Sequence, residues 1–193
     1  MLFEGLPSKK YNCLVIDCPW PIRMMGRMKK ARNQRPDHLK YKTLSLDEIK
    51  SFPLSTLANP GAHVYCWTVN SMLPHAFDVL DAWGVRFHLC MPLVKKSGMV
   101  PGRGYIFGAE YCLLGFHNPP MQPFIGIGKL NWLTVNPTRG KHSVKPDSFY
   151  DLVETMSPGP RIDIFSRRER KNWDVWGDEV TTIKHDNNTQ RIP

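Results

Sequence analysis

Apolar and polar positions divide this chain into short runs of two kinds. Residues 12–16, 62–69, 85–94, 110–116 and 132–135 are apolar or β-branched stretches of strand length, and 161–165 alternates polar and apolar. Between 71 and 83, Ala76, Phe77, Val79, Leu80 and Trp83 recur at helical spacing and Gly84 stops them, which predicts a helix lying on a sheet. A second helix is predicted over 146–156, opened by Pro146 and Asp147 and ended by Ser157-Pro158-Gly159. Ser45-Leu46-Asp47-Glu48 reads as a capping box, starting a short helix that Phe52-Pro53 ends. Strands alternating with helices over 193 residues predict an α/β fold in one domain with a sizeable core. Residues 95–107, with Gly98, Pro101, Gly102 and Gly104, read as a flexible basic loop that either closes over substrate or merely connects.

The first run carries the most chemistry. It is apolar enough to be a strand covered on both faces, and Pro19, lacking an N–H, ends the ladder, so the chain turns out at Asp17. In an open α/β sheet ligands bind at the carboxyl ends of the strands, so Asp17-Cys18-Pro19-Trp20 is placed for catalysis. The set suits attack by an exocyclic amine of a nucleobase. Such a nitrogen is a poor nucleophile because its lone pair is delocalised, and it improves when two acceptors hold its hydrogens out of the ring plane. Asp17 supplies one acceptor and the main-chain carbonyl of Cys18, held by Pro19, the other. Trp20 is expected to stack on the base, which must be unpaired or flipped out of a duplex. On these four residues alone the other reading stays open: an acid capping a turn and a tryptophan folded into the core.

Asp17-Cys18-Pro19-Trp20 resembles the Asp-Pro-Pro-Trp motif of the MT-A70 family of S-adenosylmethionine-dependent adenine N6-methyltransferases. The similarity continues through Leu39-Lys40-Tyr41-Lys42-Thr43, Tyr65-Cys66-Trp67-Thr68, Glu110-Tyr111-Cys112, Ser143-Val144-Lys145-Pro146-Asp147 and Phe165-Ser166-Arg167 to Trp176-Gly177-Asp178-Glu179. The resemblance implies a single-domain Rossmann-like methyltransferase fold over residues 1–180, in permuted order with the catalytic motif first, and 181–193 as a polar tail. It implies direct in-line methyl transfer from S-adenosylmethionine to N6 of adenine, with no covalent enzyme intermediate and no metal. Asp17, Cys18, Pro19 and Trp20 are the implied catalytic group; Asp17, Lys145, Phe165, Arg167, Asp178 and Glu179 line the implied cofactor site. Lys145 is expected to bind the carboxylate of the cofactor's methionine part, and Tyr41 and Glu110 to lie near the substrate base. Cys18 departs from the family's proline and Asp178 from its more usual asparagine. Because the working group at 18 is expected to be the main-chain carbonyl, activity should survive the change, and a thiol at the mouth of a site is expected to be oxidation-sensitive.

Charge agrees with a polyanionic partner, the formal net charge being +9. Arg23, Arg27, Lys29, Lys30, Arg32, Arg35, Lys40 and Lys42 are opposed only by Asp37. This stretch leaves directly from Trp20, so phosphate contact beside the bound base is expected of it, Arg23, Arg27, Lys29 and Lys30 foremost. The five cysteines show no zinc spacing and read as reduced, mostly buried thiols of a cytoplasmic protein, Cys18 excepted. No apolar run is long enough to span a bilayer, so no membrane partner is expected. DNA is the preferred substrate by analogy with compact family members, with RNA as the alternative and a homodimer or related partner subunit as an expected assembly. A non-catalytic nucleic-acid-binding partner subunit is the reading from another class. Asn118-Pro119-Pro120-Met121 and the glycines at 126 and 128 resemble other methyltransferase motifs, but they stand too close together and read as a hairpin connection.

Overall fold

The computed structural model describes residues 2–22, 43–96, 100–101, 104–135 and 145–177. Strands β1 (Tyr11–Ile16), β2 (Ala58–Val69), β3 (Val85–Lys95), β6 (Ala109–His117), β7 (Leu133–Val135), β8 (Arg161–Ile164) and β9 (Asp174–Trp176) form a seven-stranded sheet. Their order is β7-β3-β6-β2-β1-β8-β9. β1 pairs in parallel with β2 and β8, β8 with β9 and β3 with β7, whereas β6 runs antiparallel to both β2 and β3. A separate ribbon, β4 (Val100–Pro101) with β5 (Ile106–Phe107), lies within the stretch expected to be loop.

Helices cover both faces, because alternate side chains of the inner strands leave apolar surface on each. Leu14 and Ile16 of β1 with Val64 and Cys66 of β2 pack against α1 (Leu46–Lys50), α2 (Leu54–Leu57) and α3 (Leu73–Ala82). Cys13, Val15, Tyr65 and Trp67 point the other way, against Phe149, Tyr150 and Val153 of α4 (Asp147–Met156). Each fully buried Leu, Ile or Val in these layers contributes about 1.5–3 kcal/mol. The capping box at Ser45 forms as expected, Ser45 Oγ accepting from the Glu48 N–H at 3.2 Å and the Glu48 carboxylate from the Ser45 N–H at 2.7 Å. Gly84 adopts φ +67°, and its N–H caps the end of α3 by donating to the Asp81 carbonyl at 3.0 Å.

The α/β fold and the Rossmann-like sheet expected from the sequence are present, with the Asp17 strand first in the chain and β8 and β9 last on its far side. Two local expectations change. Residues 174–176 are a strand, pairing with β8, beyond the last strand read from the sequence. The segment after β6 is no hairpin connection, since β7 lies beyond β3 and parallel to it. Asn118 hydrogen-bonds to Gly61 and Gly84, near the start of β2 and the end of β6, on the sheet edge opposite Asp17, so its motif-like sequence belongs to no site around Asp17. Near that edge a buried polar network closes on itself. His63 donates its Nε2 hydrogen to the Gln122 carbonyl at 2.9 Å, leaving Nδ1 to accept from the Ser157 hydroxyl at 2.7 Å, which in turn accepts from the Tyr65 hydroxyl at 2.8 Å. Among the described residues no helix is long and apolar enough to cross a membrane.

Candidate active site

The direction of β6 explains why distant acids and bases of the sequence meet. It runs against the other six strands, so it begins at the edge where they end: Glu110 is in register with Val69 of β2 and Leu93 of β3. Asp17 leaves β1 on the same edge. β2 separates β1 from β6, so the two carboxylates are carried by strands about 10 Å apart. Lys145, just ahead of α4, bridges them. Its ammonium donates to Asp17 Oδ2 at 2.8 Å, reaches Glu110 Oε2 at 3.3 Å and lies 5.1 Å over the ring of Trp67. Lys95 pairs with Glu110 from the other side. Burial by itself would discharge Lys145, but the Asp17 and Glu110 carboxylates outweigh it and raise its pKa, so the ammonium stays charged. Burial likewise opposes ionisation of Glu110, and Lys145 and Lys95 overturn it, holding that carboxyl below its usual range.

A small pocket opens beside this ion pair, lined by Asp17, Lys145, Phe165, Arg167, Asp163 and Arg168 among others. Four of the six residues expected at the cofactor thus come together: Asp17, Lys145, Phe165 and Arg167. Phe165 has φ +58°, a left-handed conformation uncommon for a residue with a Cβ, and its ring is gripped by Phe52 at 5.8 Å and Trp176 at 5.4 Å. The turn therefore holds its shape through packing. Gly177 lets β9 close upon it, because a Cβ there would lie 2.5 Å from the Ser166 carbonyl oxygen.

Trp20 and Cys18 require correction. Trp20 is 3% exposed, part of the core, with its indole N–H donating to the Trp67 carbonyl at 2.8 Å, so it props the loop rather than presenting a stacking face. Cys18 is 4% exposed instead of lying at the mouth of the site, and burial, helped by the neighbouring Cys66 thiol, pushes its pKa well up, which removes the basis for oxidation sensitivity. The Cys18 carbonyl accepts from the Trp20 N–H at 2.8 Å and the Pro19 carbonyl from the Leu44 N–H at 2.9 Å. Among the described residues no second donor takes the Cys18 oxygen, which leaves it one lone pair for a ligand. Arg23, Arg27, Lys29, Lys30, Tyr41, Asp178 and Glu179 lie outside the described residues.

Sequence reasoning missed Lys95, Tyr150, Asp163, Ser166 and Arg168. The signal for Asp163 was an acid between Ile162 and Ile164 in an inner strand. Read only as part of a polar/apolar alternation it drew no functional reading, whereas α4 covers its face. Asp163 Oδ2 accepts from the Tyr150 hydroxyl at 2.8 Å and the Ser166 hydroxyl at 2.9 Å. Burial raises its carboxyl to about 6 even against those two donors.

Both signs of charge line one pocket, with an aromatic ring beside them. That set fits a zwitterionic amino-acid end joined to a flat apolar group.

A family model described as MT-A70 matches residues 11–179. The chain is 26% identical to the Type II methyltransferase M.MunI of Mycoplasma sp, over 98% of this chain and 86% of that protein. It is 24% identical to the N(6)-adenosine-methyltransferase catalytic subunit METTL3 of Homo sapiens, over 90% of this chain and 29% of that one. To the N(6)-adenine-specific methyltransferase METTL4 of Mus musculus it is 25% identical, over 92% of this chain and 39% of that protein. The chain spans most of the Mycoplasma relative and well under half of the two mammalian ones.

Proposed function

The chain belongs to the MT-A70 family and is a methyltransferase acting on N6 of adenine; from that premise we propose that it takes the methyl group from S-adenosylmethionine and delivers it to DNA. The observation that carries the reading is the Asp17 carboxylate, held by Lys145 at the carboxyl edge beside a pocket of both charges. S-adenosylmethionine, when bound, supplies an electrophilic methyl group. Asp17 accepts one hydrogen of the adenine amine, since a carboxylate offers about four lone-pair sites and Lys145 takes one of them. The second lone pair of the Cys18 carbonyl accepts the other hydrogen. Together they orient the amine and disperse the positive charge it develops. Lys145 has a double part in this proposal, fixing Asp17 and meeting the carboxylate of the methionine half. Arg23, Arg27, Lys29 and Lys30 are assigned to phosphate contact and Tyr41 to the base, while Asp178 and Glu179 are assigned to the ribose.

DNA is favoured over RNA by analogy with compact family members, the chain matching the Mycoplasma relative over 86% of that protein and the N(6)-adenosine-methyltransferase METTL3 over 29% of it. The five unpaired cysteines suit a cytoplasmic protein, and pairing with a second copy completes the proposal. The test is transfer of labelled methyl from S-adenosylmethionine to double-stranded DNA, single-stranded DNA and RNA, wild type beside Asp17→Ala, with digestion to nucleosides. Labelled N6-methyldeoxyadenosine with wild type and at least a ~100-fold loss in Asp17→Ala are expected. Label in RNA alone would overturn the DNA assignment, and an active Asp17→Ala would overturn the mechanism.

A further inference from the structure

One oxygen of a residue lining the pocket has no use among the described residues. Asp163 Oδ2 holds two hydroxyls, but Oδ1 is buried and has no hydrogen-bond partner among the described residues. The residue is 4% exposed and lines the pocket shared with Asp17 and Lys145. An acceptor stranded in this way loses its hydration for no return unless a ligand completes it. The other pocket acid, Asp17, is engaged by the Lys145 ammonium at 2.8 Å through Oδ2 and, in the reading above, meets the adenine amine.

We propose that Asp163 is a cofactor-binding residue whose Oδ1 receives the α-ammonium group of the methionine half of S-adenosylmethionine. The proposal rests on the cofactor reading above and adds to it a residue, a ligand atom and a proton linkage. Two opposite charges in one pocket then read a zwitterion: Lys145 meets its carboxylate and Asp163 its ammonium.

Binding of the ammonium needs Asp163 ionised, and the free protein resists that. Burial dominates, and the Asp17 charge adds to it; the Tyr150 and Ser166 hydroxyls and the Arg170 guanidinium favour the ionised form without prevailing, which leaves the carboxyl at about 6. Also facing the pocket are Lys145, ahead of α4, whose pKa its carboxylate partners raise, and Arg167 and Arg168 after β8; outside the lining, the buried Cys13 thiol on β1 has its own pKa pushed up to about 12. Among the described residues facing the pocket, Asp163 is the one whose carboxyl stands at about 6. Affinity for the amino-acid end should be full above that pH and fall by up to about tenfold for each unit below it.

The experiment is calorimetric titration of the full chain with S-adenosylhomocysteine, which carries the same amino-acid end, and with 5′-methylthioadenosine, which lacks it, across pH 5 to 8. Wild type and Asp163→Asn are compared, with a thermal melt of each as the folding control. S-adenosylhomocysteine should bind wild type progressively more weakly below pH 6. Asp163→Asn should bind it at least about tenfold more weakly at pH 8, with a flat pH profile. 5′-Methylthioadenosine should be indifferent to both changes. Equal S-adenosylhomocysteine affinity in the two proteins, or equal loss of both ligands in the variant, would overturn the assignment. A flat wild-type profile would do so without any variant. Failure of wild type to bind either nucleoside at any pH would instead remove the cofactor reading on which the assignment stands.

Discussion

Trp20 and Asp163 show how much a single residue's surroundings decide. Trp20 donates its indole hydrogen to the Trp67 carbonyl inside the core, so Trp20→Phe should lose about 1–3 kcal/mol of stability in urea unfolding, the cost of leaving that carbonyl unsatisfied. Nucleic-acid affinity should change little; a stacking tryptophan would show the reverse, intact stability and about 1–3 kcal/mol less binding. Asp163 makes the opposite prediction. Its folded carboxyl sits at about 6 against a reference value of 3.8, so the folded state resists ionising it. That penalty is absent below the unfolded value, develops between the two and is full above the folded one. Asp163→Asn should therefore be more stable than wild type near pH 8, by about 1–3 kcal/mol for a shift of roughly two units, and the gain should vanish toward pH 4. A stabilising substitution that removes ligand binding is what a functional acid held in an unfavourable place should yield.

At the scale of elements, the turn between β8 and β9 is where packing and site meet. Gly177→Ala would put a methyl group 2.5 Å from the Ser166 carbonyl oxygen and 2.8 Å from its nitrogen, displacing the residue that holds Asp163. A loss of about 1–3 kcal/mol is expected from the overpacking, with S-adenosylhomocysteine affinity reduced further than that stability loss accounts for. Ser45→Ala is the contrasting case. It removes the capping box of α1, far in sequence from the pocket residues, and should lower stability by about 1 kcal/mol while leaving the binding constant of the folded protein unchanged. Most elements were readable because each carries a local rule: the capping box of α1, the apolar spacing of α3, the proline and acid that start α4. β9 was not, since Asp174, Val175 and Trp176 have no periodicity long enough to register, and the strand exists only because β8 offers it an edge.

For the whole molecule the pH profile of stability combines these environments. Burial lowers the pKa of His63 and of His117 in the folded protein, so the unfolded chain binds more protons below about pH 6.5 and stability should fall as the pH drops through that value. Asp163 opposes this between about pH 6 and 4, because there the folded state is the one that binds the proton. Urea midpoints from pH 8 to 5 should therefore decline more steeply with acid in Asp163→Asn than in wild type. A parallel decline would mean that Asp163 titrates normally.

The sequence by itself determined the α/β class, the placement of Asp17 at a strand end, and the family pattern that singled out Lys145, Glu110, Phe165 and Arg167. Those follow from local rules of spacing, chain termination and motif, which need no partner to be read. Tertiary structure decided what each residue faces. The reversed direction of β6 brought Glu110 to the edge where Asp17 emerges, and α4 covered the face on which Asp163 lies. The Trp67 carbonyl claimed the indole of Trp20. Burial and charge pairing are properties of neighbours distant in sequence, and they turned an expected stacking ring into a prop and an overlooked strand acid into a buried acceptor with one oxygen unpartnered among the described residues.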